Sequence, residues 1–285
     1  MKAPFPITTL LVYGVVVAGC SGEPNRPDAS ASEPLESAEK SVAFTKKVMV
    51  LGVPIHATNT TRDEKLLHAA GVLAQFLDND EDGEPDNPEV LRAILDTGGS
   101  ITMTGTEKEW GLIPRDQRPR GQGLYDEETR PGARERGVFD TALEEIWHMV
   151  SDNGLGVAYP EVFGKIPETE VTSAMDAARG GRFEWPPEEY PKDAWYSYYD
   201  ETCDYDCQVS EYIYWAFTSF IGAQHLPGRL DQIGDEWRLN TREKLRQGDP
   251  AIFEILSRPE YRLPAVVPDG RYTGAPLRIE SYEHP

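Results

Sequence analysis

The sequence predicts an α+β domain, mostly helical, with a small sheet. Three observations lead there. The apolar stretches 46–58 and 100–104 have the β-branched composition of buried strands. Several longer segments repeat apolar residues at helical spacing. No internal repeat divides the chain, so the folded part reads as one domain from Phe44 to residue 285.

The elements follow in order. An apolar run after Lys2, ITTLLVYGVVVAG, ends in Val17-Ala18-Gly19-Cys20. Residues 1–19 therefore read as a targeting segment too short for an ordinary membrane span. Residues 20–43, rich in Ser, Pro, Glu and Ala, have almost nothing to bury and read as a disordered tether. KKVMVLGVPIHAT (46–58) is expected as one buried strand. Leu66, Leu67, Ala70, Leu73, Ala74 and Leu77 predict a helix that starts near Thr61 or Asp63. A second helix is expected at about 88–96 and a short strand at Ser100–Thr104. Residues 105–137, with many Gly, Pro and Arg, read as a long surface loop. Helices are then expected at about 140–151, 169–179 and 208–223, with an acidic amphipathic segment at 231–246. The remainder, with Pro264, Pro268 and Pro276, reads as loop-rich.

Charge narrows the function. With 28 basic and 49 acidic residues, the formal net charge is −21. Such a field repels nucleic acid and attracts cations, so divalent ions are the expected partners and nucleic acid is not. Three cysteines are present. If Cys20 is modified, Cys203 and Cys207 remain as an even pair in an oxidising compartment, and C-D-Y-D-C can close a disulfide loop if the backbone turns there.

DNDEDGEPDNPE (78–89) is the sharpest local motif. Asp78, Asp80, Asp82, Glu84, Asp86 and Glu89 stand at positions 1, 3, 5, 7, 9 and 12 of an EF-hand loop, with Gly83 at the turn. Calcium takes six to eight hard oxygens, and alternate carboxylates on a tight loop can converge on it. Pro85 occupies the position that pairs with a sister loop, and no sister loop occurs in the sequence. A solitary structural Ca2+ site between two helices is expected.

TALEEIWHMV (141–150) places Glu144 and His148 four apart, hence on one face of a helix, with Glu145 turned to the side. Ala142, Leu143, Ile146, Trp147, Met149 and Val150 surround them, so the helix is expected to be largely buried and its carboxylates to need partners. In SEYIYWAFTSFIGA (210–223), Glu211 is a lone carboxylate in an aromatic and aliphatic helix. Asp152 and Glu161 are further candidates for a third ligand. His56, His68, His225 and His284 lack supporting partners, and His68 is expected in packing or at the surface. No second E-x-x-H, G-x-S-x-G, P-loop or dinucleotide fingerprint occurs.

Two resemblances add to these readings. Val17-Ala18-Gly19-Cys20 resembles the lipobox of bacterial lipoproteins, which implies cleavage before Cys20, its lipidation, and anchoring of an exported chain to a membrane. An uncleaved anchor or a signal peptide without lipidation would also place the chain outside the cytoplasm. The two-helix pattern resembles gluzincin metallopeptidases, in particular the anthrax-lethal-factor-like group. Glu145 matches the general base of their H-E-x-x-H helix, His148 the second histidine and Glu211 the downstream glutamate ligand. Glu144 replaces the first histidine. The resemblance spans some thirty residues and implies a zincin-like domain, Zn2+ held by Glu144, His148 and Glu211, and a peptide substrate. It also implies a tyrosine hydroxyl at the oxyanion, for which Tyr198, Tyr199 and Tyr205 are available. The alternative is an inactive surface lipoprotein that binds calcium and serves as a scaffold or adhesin.

Overall fold

The structure, a computed structural model, describes residues 42–282. The targeting segment, Cys20, the tether up to residue 41 and His284 lie outside the described residues.

Five strands form a mixed sheet in the order β4-β3-β2-β1-β5. β1 (Phe44–Val50) and β2 (Val53–Thr58) pair antiparallel. The run 46–58, expected as one strand, is therefore a hairpin. Its two turn residues, Leu51 and Gly52, both take left-handed backbone angles, with φ of 48° and 90°. That two-residue geometry matches the right-handed twist of paired strands, and glycine adopts it without steric cost. Val50 and Val53 close the ladder on either side of the turn.

The chain leaves β2 through α1 (Asp63–Leu77) and α2 (Pro88–Thr97) and re-enters the sheet at β3 (Ser100–Thr104), parallel to β2. Asn87 caps α2 by accepting from the amides of Glu89 and Val90, and Gly98 ends it in a left-handed conformation. All five residues of β3 are buried, as a strand covered on both faces should be.

Residues 105–137 are not one loop. They hold α3 (Glu107–Leu112), two 3₁₀ turns and β4 (Gly121–Tyr125), which pairs parallel to β3 and forms one sheet edge. The strand is short and contains two glycines, so neither alternation nor β-branched composition marks it in the sequence. Close approach explains Gly121, whose φ is 119° and where a Cβ would lie 2.0 Å from the Ser100 carbonyl oxygen.

α4 (Ala142–Met149) runs without a break into a π-helical segment, Val150–Leu155. Short helices α5 (Gly156–Ala158) and α6 (Pro160–Phe163) lead to α7 (Glu170–Ala178). α8 (Tyr205–Phe220) crosses α4 and is buried along nearly all its length. A Cys203–Cys207 disulfide, with Cα atoms 5.3 Å apart, closes its first turn. The stretch 231–246 is not one amphipathic helix. It is split between α9 (Arg229–Ile233) and α10 (Arg242–Gly248), and between them Trp237 forms a bridge with Tyr196. α11 (Pro250–Ser257), in a region expected as loop-rich, starts on Pro250 and is capped by Asp249, which accepts from the Ile252 amide. β5 (Ile279–Ser281) returns to pair with β1.

One apolar core joins these layers. Trp147 of α4 stacks on Phe217 of α8, with ring centroids 3.5 Å apart, and Phe76 at the end of α1 packs against both. The aromatic cluster fixes α4 against α8, and that crossing determines where their polar residues meet. Among the described residues, no helix is long and apolar enough to cross a membrane.

Candidate metal centre

α4 forms because Ala142, Leu143, Ile146, Trp147 and Met149 supply a buried face, with Glu144 and Glu145 in the first turn where helix polarity favours negative charge. Asp140 stands just before it and accepts from the Ala142 amide at 3.3 Å. The same Asp140 binds His68 of α1, Nε2 to Oδ2 at 2.6 Å, so His68 is a buried tie between helices.

Glu144, His148 and Glu211 come together. Each offers one ligand atom such that the three atoms all lie within 4.8 Å of one another. His148 Nε2 is 3.6 Å from Glu211 Oε1. Glu211 faces the histidine, and among the described residues no arginine or lysine makes an ion pair with Glu144, Glu145 or Glu211. Two mostly buried carboxylates and an imidazole around one point have the donor types and spacing that a divalent ion requires.

Burial and crowding set the electrostatics of the cluster. Burial raises the Glu144 carboxyl to about 7, against hydrogen bonding from Tyr214 and the pull of Arg229. Burial, then the charge of Glu144, pushes Glu145 and Glu211 well above the ordinary carboxylate range. Burial lowers His148 to about 4, so its imidazole is neutral and has a lone pair to give. Carboxylates this crowded hold either protons or a cation. His148 Nδ1 is buried without a hydrogen-bond partner, where a ligating histidine usually donates to an acceptor. Asp152, whose charge acts on His148, is engaged by Ser210 and Lys165.

Glu145 points elsewhere on the helix and accepts from Gln122 Nε2 at 2.5 Å. Gln122 lies on β4, so the edge strand and α4 meet at this carboxylate. Tyr214, one turn past Glu211, hydrogen-bonds Glu144 and places its ring 5.5 Å from that of His148. Of the three tyrosines considered for an oxyanion, Tyr198 is the one within the field of Glu211 and Glu144, and burial raises its hydroxyl pKa. Tyr199 is exposed and packs on Tyr190, while Tyr205 donates to Asp176 at 3.1 Å. Glu236, beside Tyr198 through the Ser197 amide to Glu236 carbonyl bond, adds a further carboxylate near Glu144 and Glu211. Glu161 is exposed, His56 hydrogen-bonds Tyr282, and His225 lines a cavity of about 100 Å³ with His68 and Asp140.

Gln122, Tyr214 and Glu236 are the neighbours that sequence reasoning missed. Tyr214 had a usable signal, its i+3 spacing from Glu211. Gln122 lies in a stretch that reads as loop and Glu236 in the turn between α9 and α10, and only tertiary packing brings them in.

A second acidic group sits between α1 and α2. Carboxylate oxygens of Asp78, Asp80 and Asp82 lie within 4.8 Å of one another. Asp78 is fully buried and accepts from the amides of Asp82 (3.1 Å) and Gly83 (2.8 Å) and from Tyr272 Oη at 2.5 Å. Gly83 makes the turn with φ of 92°. Asp86 accepts from the Asn79 amide at 2.6 Å, and burial, assisted by the neighbouring aspartates, raises its pKa. Glu84 is exposed. Glu89 is exposed in the first turn of α2, where its side chain reaches the Tyr159 hydroxyl.

No protein family, curated protein or solved structure matches this chain.

Proposed function

We propose that the chain is a zinc-dependent, peptidase-like hydrolase in which Glu144, His148 and Glu211 hold the metal and Glu145 is the general base. One observation carries this reading: two helices bring three potential metal-ligand atoms within 4.8 Å of one another, with no arginine or lysine among the described residues paired to the carboxylates. Held by Glu144, His148 and Glu211, a zinc ion would supply Lewis acidity for water and for a scissile carbonyl. Two carboxylate ligands would make that acidity weaker than in a site with two histidines. Glu145 stands next to a ligand and is held by Gln122, and burial with the charge of Glu144 pushes its carboxyl well above the ordinary range, so it has the affinity for a proton that a general base needs. Of the three tyrosines that the resemblance offers for a developing oxyanion, Tyr198 is the one that feels the charges of Glu211 and Glu144. β4 is a sheet edge beside Glu145, and its unpaired backbone groups suit an extended peptide.

The same proposal includes an exported chain anchored through lipidated Cys20, and a structural Ca2+ held at 78–89. For the latter, Asp78, Asp80 and Asp82 supply the core of the site, with Glu84, Asp86 and Glu89 completing the loop. The ion would fix the angle between α1 and α2 and take no part in the chemistry.

Glu145→Gln provides the test. Peptide cleavage by the zinc-loaded protein should fall by about a hundredfold or more while zinc content is unchanged. Wild type that cleaves no member of a broad peptide library, with zinc bound, would favour an inactive calcium-binding surface protein.

A further inference from the structure

Lys165 lies between α6 and α7, outside both helices of the proposed metal centre. Its Nζ contacts Asp152 Oδ2 at 2.9 Å, Asp206 Oδ2 at 3.1 Å and Ser210 Oγ at 3.1 Å. Asp152 belongs to the π-helical continuation of α4, four residues past His148. Asp206 and Ser210 belong to α8, and Ser210 immediately precedes Glu211. Ser210 Oγ is also 3.0 Å from both Asp152 oxygens. One ammonium and one hydroxyl therefore join the His148 helix to the Glu211 helix, about one helical turn from the ligand atoms.

The join has a geometric consequence. Metal ligands must be held to about 0.5 Å by side chains other than themselves. Deeper in the crossing, α4 and α8 meet through the Trp147 and Phe217 rings, a non-directional contact that fixes separation better than rotation about the helix axis. Directional bonds to Lys165 fix the rotation. Without its charge, Asp152 would face Ser210 and Asp206 with no counter-ion, and like charges would push the helices apart.

Resting on the metal-centre reading above, we propose that Lys165 is a positioning residue of that centre, setting the relative placement of His148 and Glu211 through Asp152, Asp206 and Ser210. Coulomb's law alone predicts the opposite effect on binding. Removing a positive charge near a cation site should tighten cation binding, whereas loss of alignment should weaken it. The sign of the change separates the two.

The experiment titrates the full chain with Zn2+ alone and records the d–d absorption of the Co2+-substituted protein. Wild type, Lys165→Met, Lys165→Arg, Ser210→Ala and His148→Ala are compared, with far-UV circular dichroism confirming the fold. Lys165→Met should lower Zn2+ affinity about 10- to 100-fold and change the Co2+ spectrum. Lys165→Arg should restore most of both, and Ser210→Ala, which removes no charge, should weaken binding in the same direction by less. Should Lys165→Met misfold, Ser210→Ala decides the matter. Zn2+ affinity equal to or tighter than wild type, with an unchanged Co2+ spectrum, would overturn the positioning role while leaving the site intact. Wild type and His148→Ala binding Zn2+ alike would overturn the metal centre and this role with it.

Discussion

In the proposed centre, Glu144 is the residue that departs from a neutral-ligand zinc site. It occupies the helical position four before His148, so its reach to a common point was legible from spacing alone. Its surroundings were not legible: the Tyr214 bond and the fields of Arg229 and Glu236 come from α8, α9 and the turn beyond. Glu236 shows the cost of crowding most simply. Burial, with Asp235, raises it from 4.5 to about 7, against the pull of Arg229. A raised carboxyl binds its proton more tightly in the folded protein. Its contribution to stability is therefore full below about pH 4.5 and is lost as pH rises through about 7. Glu236→Gln should match wild type in thermal midpoint near the lower pH. At about pH 8 it should exceed wild type by ~1 kcal/mol, or about 2–4 °C for a chain of this size. A difference that does not change with pH would contradict the burial of this group.

Among the elements, those with long amphipathic periodicity were readable. The helices at 63–77, 88–97, 142–149 and 205–220 and the strand at 100–104 lie within a few residues of expectation. What escaped was decided by contacts distant in sequence. The hairpin turn at Leu51 and Gly52 sits inside a continuous apolar run, β4 is a glycine-rich edge, and α11 is a short helix that begins on Pro250. The π-helical extension of α4 belongs with these, because its form depends on packing against α2. Gly154 lies where a Cβ would be 2.7 Å from Val90 Cγ1 and 3.1 Å from Ile94 Cγ1. Helix propensity by itself would make Gly154→Ala stabilising by about 1 kcal/mol. The close approach predicts a loss of about 1–3 kcal/mol in denaturant unfolding. A stabilised variant would contradict tight packing of α2 on this segment.

At the scale of the whole molecule, an acidic chain of net charge −21 carries, among the described residues, two groups of converging ligand atoms, one between α1 and α2 and one between α4 and α8. Phe76 and Trp147 connect them, since α1 ends at the loop beginning with Asp78 and α4 carries His148. The acidic composition, the grouping of Glu144, His148 and Glu211 and that of Asp78, Asp80 and Asp82 could be read in sequence. Glu84, Asp86 and Glu89 are not part of the second group, and the neighbours that tune both required the fold. Metal content of the purified, folded chain tests the central claim most directly. Wild type, His148→Ala and Glu211→Gln are compared after dialysis against zinc at neutral pH, with calcium measured in parallel. The account predicts one zinc per wild-type chain, lost in both variants, with any calcium retained in all three. Equal zinc in wild type and His148→Ala would contradict it.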